Sequence, residues 1–440
     1  MLSLRPPGDK SLTHRILLLA PWATGTSHLR GLLVSRDTEA TAGALRALGV
    51  PIPPLHADRL SVIGPAGLRP PEGPLECANS GTTARLLLGL LAGSGLPARL
   101  DGDASLRRRP MERVVYPLQA MGARLRYAGE EGRLPVEVER RSTGSLRPLR
   151  HRLRVASAQV KSALLLAGLA GRVRVEVEEP GRSRDHTERL LAAMGGPVTF
   201  GPHGSGARAA WDPGRWDGRL QPLDIRVPGD PSGAAFLVAG AVLAGCRLRI
   251  EGICLNPTRT GFLEVLREMG VGIRAAESGQ RAGEPVGDLE VEGGQLRPFS
   301  IREDRLPRLV DEVPVLSVLA ARADGRSVVV GAGELRVKES DRLARLAENL
   351  TRLGVVCAER PDGLEIEGTA APLAGTVETG GDHRIAMAFG ALDCQEENRI
   401  RVDDPACVAV SYPGFWKDVR QIRQRASLRR AGRGRATGSC

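Results

Sequence analysis

The chain is short of aromatic residues, of any cysteine pattern and of lysine; the first two shortages each remove a class of function, and the third marks out the few lysines that remain. Aromatic side chains are 3% of the 440 residues. That is too few to interleave with basic patches, as the stacking platforms of nucleic-acid binders require, so no nucleic-acid partner is expected. The seven cysteines (77, 246, 254, 357, 394, 407 and 440) are odd in number, scattered and without a Cys-x-x-Cys pair. This argues against a disulfide frame and a zinc site, and for reduced thiols in a cytoplasmic protein. Apolar runs are short. Ile16–Ala20, followed by Pro21-Trp22, is far below the length that spans a bilayer, so no membrane contact is expected. No charged-then-apolar signal segment precedes the first motif at Pro7, and no transit segment is expected.

The net charge of +11 is unevenly spread. After Asp418 there is no acid, while Arg420, Arg423, Arg425, Arg429, Arg430, Arg433 and Arg435 supply seven of the excess charges. From about Ala426 the composition is Arg, Gly, Ala and Ser, and residues 426–440 read as a disordered basic tail. Only four of the 62 basic residues are lysine: Lys10, Lys161, Lys338 and Lys417. A chain so biased to arginine retains lysine where a compact ammonium, able to give up a proton, matters. Lys417, in Phe415-Trp416-Lys417-Asp418, reads as an ordinary exposed helix residue.

What is present is a repeat. Five amphipathic helices end on an apolar residue and a glycine, at Gly49, Gly122, Gly195, Gly270 and Gly354, spaced by 73, 73, 75 and 84 residues. A second series runs out of phase with it: a short apolar strand, a small-polar cluster, then an Ala/Leu-rich helix. This predicts six units of about 75 residues. Helices such as Thr82–Ala92 and Ser162–Ala170 look buried on nearly all sides. Three such helices inside sheets would make an inside-out α/β barrel. The length predicts two domains of three repeats each. The first is expected over residues 9–227, and the second over 1–8 with 228–420. Pro222–Pro228 is the expected return crossing, giving hinge strands near Pro6–Asp9 and Val227–Asp230.

Most residues with chemical promise fall at the starts of the Ala/Leu-rich helices, where unpaired N–H groups and a partial positive charge favour anions. Asp9-Lys10-Ser11-Leu12-Thr13-His14-Arg15 sets Lys10, Ser11 and Arg15 at the first such start. It lacks the spacer and second glycine of a Walker phosphate loop. Asn79-Ser80-Gly81-Thr82-Thr83-Ala84-Arg85 offers an N-cap asparagine, a glycine that admits a ligand, and an arginine within an apolar helix. Of Arg107-Arg108-Arg109-Pro110, the residue before the proline is the stiffest. Ser157-Ala158-Gln159-Val160-Lys161 carries a hydroxyl, an amide and a cation without a titratable base, and reads as a binder of hydroxyl or phosphate groups. In Ser183-Arg184-Asp185-His186-Thr187-Glu188, Asp185 and His186 could serve acid–base work or the carboxylate could simply cap a helix start, and Arg184 is the favoured group. Asp311-Glu312-Val313-Pro314 opens another apolar run. Lys338-Glu339-Ser340-Asp341-Arg342 reads either as a salt-bridged surface helix or as a proton-transfer centre. Asp382-His383-Arg384 puts a second arginine at a helix start, where it could fork a carboxylate or phosphate.

Together and in this order, these motifs closely resemble the 5-enolpyruvylshikimate-3-phosphate synthase family of enolpyruvyl transferases, from Pro7 to about Phe415. The resemblance implies two domains of three βαβαββ units each, and addition of the shikimate 5-hydroxyl to protonated phosphoenolpyruvate with loss of phosphate. By resemblance, Lys10, Ser11, Arg15, Ser157, Ala158, Gln159, Arg184, Asp311 and Lys338 bind shikimate 3-phosphate. Lys10, Gly81, Arg109, Gln159, Arg342 and Arg384 fall on the phosphoenolpyruvate positions. Asp311, Lys338, Glu339 and Lys10 are the implied catalytic residues, with no metal and no organic cofactor. Glyphosate, which mimics phosphoenolpyruvate in this family, is an expected inhibitor. Two departures, Glu334-Leu335 in place of Asn-Trp and Ser411-Tyr412-Pro413 in place of a lysine-bearing segment, match the family's second sequence class. They put one phosphoenolpyruvate contact in question.

The alternatives are the sister transferase acting on UDP-N-acetylglucosamine and a basic nucleic-acid-binding protein. The sister uses Lys-Asn where this chain has Lys10-Ser11, and a cysteine-bearing loop that Ser105–Pro110 lacks. A monomer is expected.

Overall fold

The computed structural model describes residues 1–56, 59–142 and 144–436. Its helices, in chain order, are α1 (Lys10–Leu19), α2 (Arg36–Ala47), α3 (Gly81–Ser94), α4 (Ala104–Arg107), α5 (Glu112–Ala120), α6 (Ala158–Gly171) and α7 (His186–Ala193). They continue with α8 (Pro231–Leu243), α9 (Gly261–Glu268), α10 (Val313–Ala320), α11 (Arg342–Arg352), α12 (His383–Leu392) and α13 (Phe415–Ala436).

Helices α2, α5, α7, α9 and α11 end in the same way. Gly49, Gly122, Gly195, Gly270 and Gly354 all have φ between +78° and +94°, a conformation that only glycine adopts at little cost. In each, the glycine N–H and the next N–H turn back to the last helical carbonyls, as Gly49 does to Arg46 and Val50 to Leu45. This Schellman closure satisfies carbonyls that would otherwise lack donors.

The other series supplies the core. Side chains of Asp9, Ser80, Ser157, Asp230 and Asp382 cap α1, α3, α6, α8 and α12 by accepting a first-turn N–H. The α3 cap is Ser80, not the expected Asn79, whose side chain is held elsewhere. Every residue of α10 and α12, and Pro231–Val242 of α8, is buried. A helix buried all round needs small residues where backbones meet. A Cβ at Gly89 would stand 2.0 Å from the Ala163 carbonyl oxygen, and one at Gly93 2.6 Å from that of Ala167. Helices α3 and α6 therefore meet backbone to backbone along one stripe.

The chain divides into two compact units: a first of Gly8–Val227 with Gln280–Glu284, and a second of Met1–Pro7, Pro228–Gly279 and Pro285–Cys440. The buried helices of the first are α1, α3 and α6, and those of the second are α8, α10 and α12. Each unit has three sheets, and five of the six share one plan, a parallel pair extended by one or more antiparallel strands. Leu149–Arg152, for example, lies parallel to Val175–Glu179, which pairs antiparallel with Gly206–Trp211 and that with Val198–His203. Alternating burial along strands such as Arg59–Gly64 leaves one sheet face outward. The result is an α/β fold with helices inside and sheets outside. The sixth repeat keeps only the parallel pair Ala374–Val377 and Arg399–Val402. The strand Leu2–Leu4 pairs with Leu248–Ile250 in the second unit, and Asp224–Arg226 with His28–Arg30 in the first.

At the C-terminus the structure differs from the expected disordered segment. Helix α13 extends from Phe415 to Ala436, and along its first half Phe415, Val419, Ile422 and Ala426 form a buried stripe at helical spacing. Residues 437–440, with Cys440, lie outside the described residues. No helix among the described residues is long and apolar enough to cross a membrane.

Candidate active site

In the first unit the starts of α1, α3, α6 and α7 carry the polar clusters. Asp9 receives the Leu12 N–H at 2.8 Å, which fixes the first turn of α1. Lys10 Nζ then reaches Asp37 Oδ2 of α2 at 3.0 Å. Arg15, one turn on and 3% exposed, donates from Nε to Thr187 Oγ1 at 2.7 Å and from Nη2 to Ser162 Oγ at 2.9 Å. It also donates to the Ser11 carbonyl at 3.0 Å. Arg184 Nη1 donates to Ser11 Oγ at 3.3 Å, so the loop before α7 comes to the start of α1. Ser157 caps α6, and Ala158 is its first residue.

A second group surrounds Gly81. Arg85 donates to Gln159 Oε1 at 2.9 Å and to the Pro110 carbonyl at 2.9 Å, while Gln159 Nε2 donates to Thr82 Oγ1 at 2.9 Å. Arg109 donates to the Asn79 carbonyl at 3.2 Å and to its side-chain oxygen. A Cβ at Gly81 would lie 2.6 Å from Arg85 Nη1 and 3.4 Å from Arg109 Nη1, so the glycine faces both guanidinium groups. A buried hydroxyl chain links the helices beneath: His14 Nδ1 to Thr41 Oγ1 at 2.7 Å, Thr41 to Thr83 at 2.6 Å, and Thr83 to Ser80 at 2.8 Å. Burial, then the nearby Lys10 and Arg15 charges, hold the His14 imidazole well below its usual pKa and therefore neutral.

The second unit assembles a different set. Arg342, 1% exposed, donates from Nε to Asp382 Oδ2 at 2.8 Å and from Nη2 to Glu339 Oε2 at 2.7 Å. Its Nη1 stands 3.5 Å from Asp311 Oδ1. Burial alone would favour loss of its proton, but Asp382, Glu339 and Asp311 overcome this and raise the pKa, so the guanidinium stays charged. Arg384 donates to the Asp311 carbonyl at 3.0 Å and lies 3.4 Å from Asp311 Oδ2. Asp311 is thus flanked by two guanidinium groups. The adjoining Glu312 is held by its own set: Arg259 Nη2 donates to Asp230 and Ser232 at 3.0 Å each, and Ser232 Oγ to the buried Glu312. Lys338 is less engaged, with Glu334 3.7 Å away. Tyr412, in one of the two divergent segments, is buried and donates to Asp418 at 2.7 Å.

The structure gathers Lys10, Ser11, Arg15 and Arg184 in one cluster, Gly81, Arg109 and Gln159 with Arg85 in another, and Asp311, Glu339, Arg342 and Arg384 in a third. Lys161 departs from the phosphate-binding reading of its motif, because its ammonium is engaged by Glu179 and Glu188. Sequence reasoning also passed over Asp37, Ser162, Thr187 and Arg259. Only Asp37, in the first turn of a capped helix, left a local signal. Among the described residues no group of three His, Cys, Asp or Glu side chains is arranged to hold a metal ion.

A two-unit fold of this kind is found in the enolpyruvyl transferases. An EPSP synthase structure from Acinetobacter baumannii superposes with a TM-score of 0.82 at 37% identity, covering 96% of this chain and 95% of that one. The enolpyruvyl transferase NikO from Streptomyces tendae gives a TM-score of 0.70 at 17% identity, a likeness of fold alone. A 3-phosphoshikimate 1-carboxyvinyltransferase from Parasynechococcus marenigrum is 48% identical across 96% of this chain and 95% of its own length. One from Alkalilimnicola ehrlichii is 47% identical across 94% and 91%. The model of the family EPSP synthase (3-phosphoshikimate 1-carboxyvinyltransferase) matches residues 3–419. The chain belongs to that family.

Proposed function

We infer that the chain transfers the enolpyruvyl group of phosphoenolpyruvate to the 5-hydroxyl of shikimate 3-phosphate, releasing phosphate. The observation that carries this reading is the match to one enzyme family over residues 3–419. In this reading Lys10, Ser11, Arg15, Ser157, Ala158, Gln159 and Arg184 hold the phosphorylated sugar acid. Helix-start N–H groups and fixed cations suit its phosphate. Gly81 and Arg109, with Lys10, Gln159, Arg342 and Arg384, receive phosphoenolpyruvate. Asp311 takes the proton of the attacking hydroxyl, and Lys338 and Glu339 give and remove the proton at the enol carbon. Lys10 assists phosphate departure as a compact cation. In this reading its partners are the two small-molecule substrates, and it acts as a cytoplasmic monomer without nucleic-acid or membrane partners.

The test is phosphate release from phosphoenolpyruvate by the purified chain, with shikimate 3-phosphate and, separately, with UDP-N-acetylglucosamine. Release that requires shikimate 3-phosphate supports the reading. Release only with the nucleotide sugar, or with neither acceptor, contradicts it.

A further inference from the structure

Lys161 is the one lysine at a helix start that the reaction leaves without a task. It sits in the first turn of α6, two residues past Gln159, and is 3% exposed. Its ammonium lies 2.6 Å from Glu179 Oε1 and 2.9 Å from Glu188 Oε1, both on fully enclosed carboxylates. Glu179 ends the strand Val175–Glu179, and Glu188 is in the first turn of α7. One cation thus ties three elements. Burying charges so completely costs more than a surface pair returns, so stability alone is a weak reason for the arrangement.

The carboxylate of Glu179 has a second set of donors. Oε1 accepts the Ser183 N–H at 3.1 Å, and Oε2 accepts the Ser183 hydroxyl at 2.7 Å. Ser183 immediately precedes Arg184, whose guanidinium reaches Ser11 at 3.3 Å. On the other side, the Lys161–Glu188 contact runs beside a neutral bridge between the same two helices. There Thr187 Oγ1 donates to Ser162 Oγ at 2.7 Å, and both oxygens accept from Arg15. Burial holds the Glu188 carboxyl above its usual pKa against the pull of Lys161. The same two carboxylates keep Lys161 protonated in spite of its own burial. An ammonium fits between two carboxylates as a point charge, where a planar guanidinium would need a wider slot.

We propose that Lys161 is a positioning residue for the substrate phosphate. Through Glu179 and Ser183 it fixes the direction of Arg184, and through Glu188 it holds the Thr187 hydroxyl that orients Arg15. The claim rests on the functional reading above, in which Arg15 and Arg184 meet that phosphate. It touches no substrate itself, so its effect is selective for the ligand whose contacts it aims.

The test compares Lys161→Met and Ser183→Ala with the unmodified chain, measuring KM for each substrate, kcat and thermal stability. Lys161→Met should raise KM for shikimate 3-phosphate by about tenfold or more, since small misplacements of binding groups are costly. KM for phosphoenolpyruvate should stay within about twofold. Lys161→Met leaves two buried carboxylates without their cation and is at risk of misfolding. Ser183→Ala removes one hydroxyl and keeps the ion cluster, so it carries the test independently. It should raise the same KM by about threefold to tenfold, the weight of one hydrogen bond. In an Arg184→Ala background the Ser183→Ala effect should vanish. Equal changes in both KM values, lower stability with both unchanged, or full additivity with Arg184→Ala would overturn the proposal. Failure of the unmodified chain to bind shikimate 3-phosphate would overturn the functional reading and this inference with it.

Discussion

The helix starts of the two units use arginine in opposite ways. In the first unit the acceptors that orient Arg15, Arg85 and Arg109 include hydroxyls, amides and backbone carbonyls. These groups aim a guanidinium without cancelling its charge. In the second unit Arg342 is held by Asp382, Glu339 and Asp311, and Arg384 lies beside Asp311. There the cation is largely neutralised, and the same contact places carboxylates at fixed positions. In the functional reading proposed above, the first unit seats the shikimate phosphate, while the second supplies the proton-handling carboxylates beside the Arg342 and Arg384 that receive phosphoenolpyruvate. For these arginines the difference lies in whether the acceptors named are neutral groups or carboxylates; the first unit's lysines, Lys10 and Lys161, do face carboxylates.

The largest expected effect is on the carboxylate side. Asp311→Ala should leave the fold intact and lower kcat by about 10²–10⁴, the usual weight of one general acid–base group. Steady-state turnover near the unmodified rate would remove Asp311 from the chemistry and blur the contrast between the units.

Gly81→Ala probes the anion seat. The new methyl meets Arg85 Nη1 at 2.6 Å and Arg109 Nη1 at 3.4 Å. Both contacts are with the ends of long side chains that must shift, at about 1–3 kcal/mol for overpacking. Glyphosate is longer than phosphoenolpyruvate, so its inhibition constant should rise by the larger factor. Competitive inhibition assays that return equal factors would mean that the glycine does not face the ligand.

The burial of His14 beneath the anion seat, reinforced by the nearby Lys10 and Arg15 charges, should also be visible in its titration. Its folded pKa is depressed while the unfolded chain keeps a value near 6.5. Protons therefore bind the unfolded state preferentially as the pH falls below that value, and stability declines. The slope for one proton is about 1.4 kcal/mol per pH unit. His14→Gln should remove that slope in urea melts between pH 5 and 6.5, although it lowers stability at neutral pH. A slope unchanged by the substitution would show that the ring titrates freely.

How much of this was legible in the sequence depends on how local the cause is. The five Schellman glycines and the caps at Asp9, Ser157 and Asp382 follow from a few adjacent residues, and the repeat follows from them. Asn79 misled because two adjacent residues, Asn79 and Ser80, can both cap a helix, and Arg109 claims the first. The fate of Lys161 was not legible. Its partners Glu179 and Glu188 come from another strand and another helix, and an acid at either place looks like surface. Helix α13 was concealed differently: its apolar residues at helical spacing stop at Ala426, where the Arg-, Gly- and Ser-rich sequence begins.

The central claim, that the first unit holds the phosphate and the second moves protons, is tested most directly by calorimetric titration of shikimate 3-phosphate into Arg15→Gln and Asp311→Ala. The account predicts that Arg15→Gln weakens binding by roughly 30-fold or more, the weight of a desolvated, hydrogen-bonded charge. Asp311→Ala should stay within about tenfold of the unmodified affinity while its turnover collapses. Equal losses of affinity in the two variants would contradict the division of labour between the units.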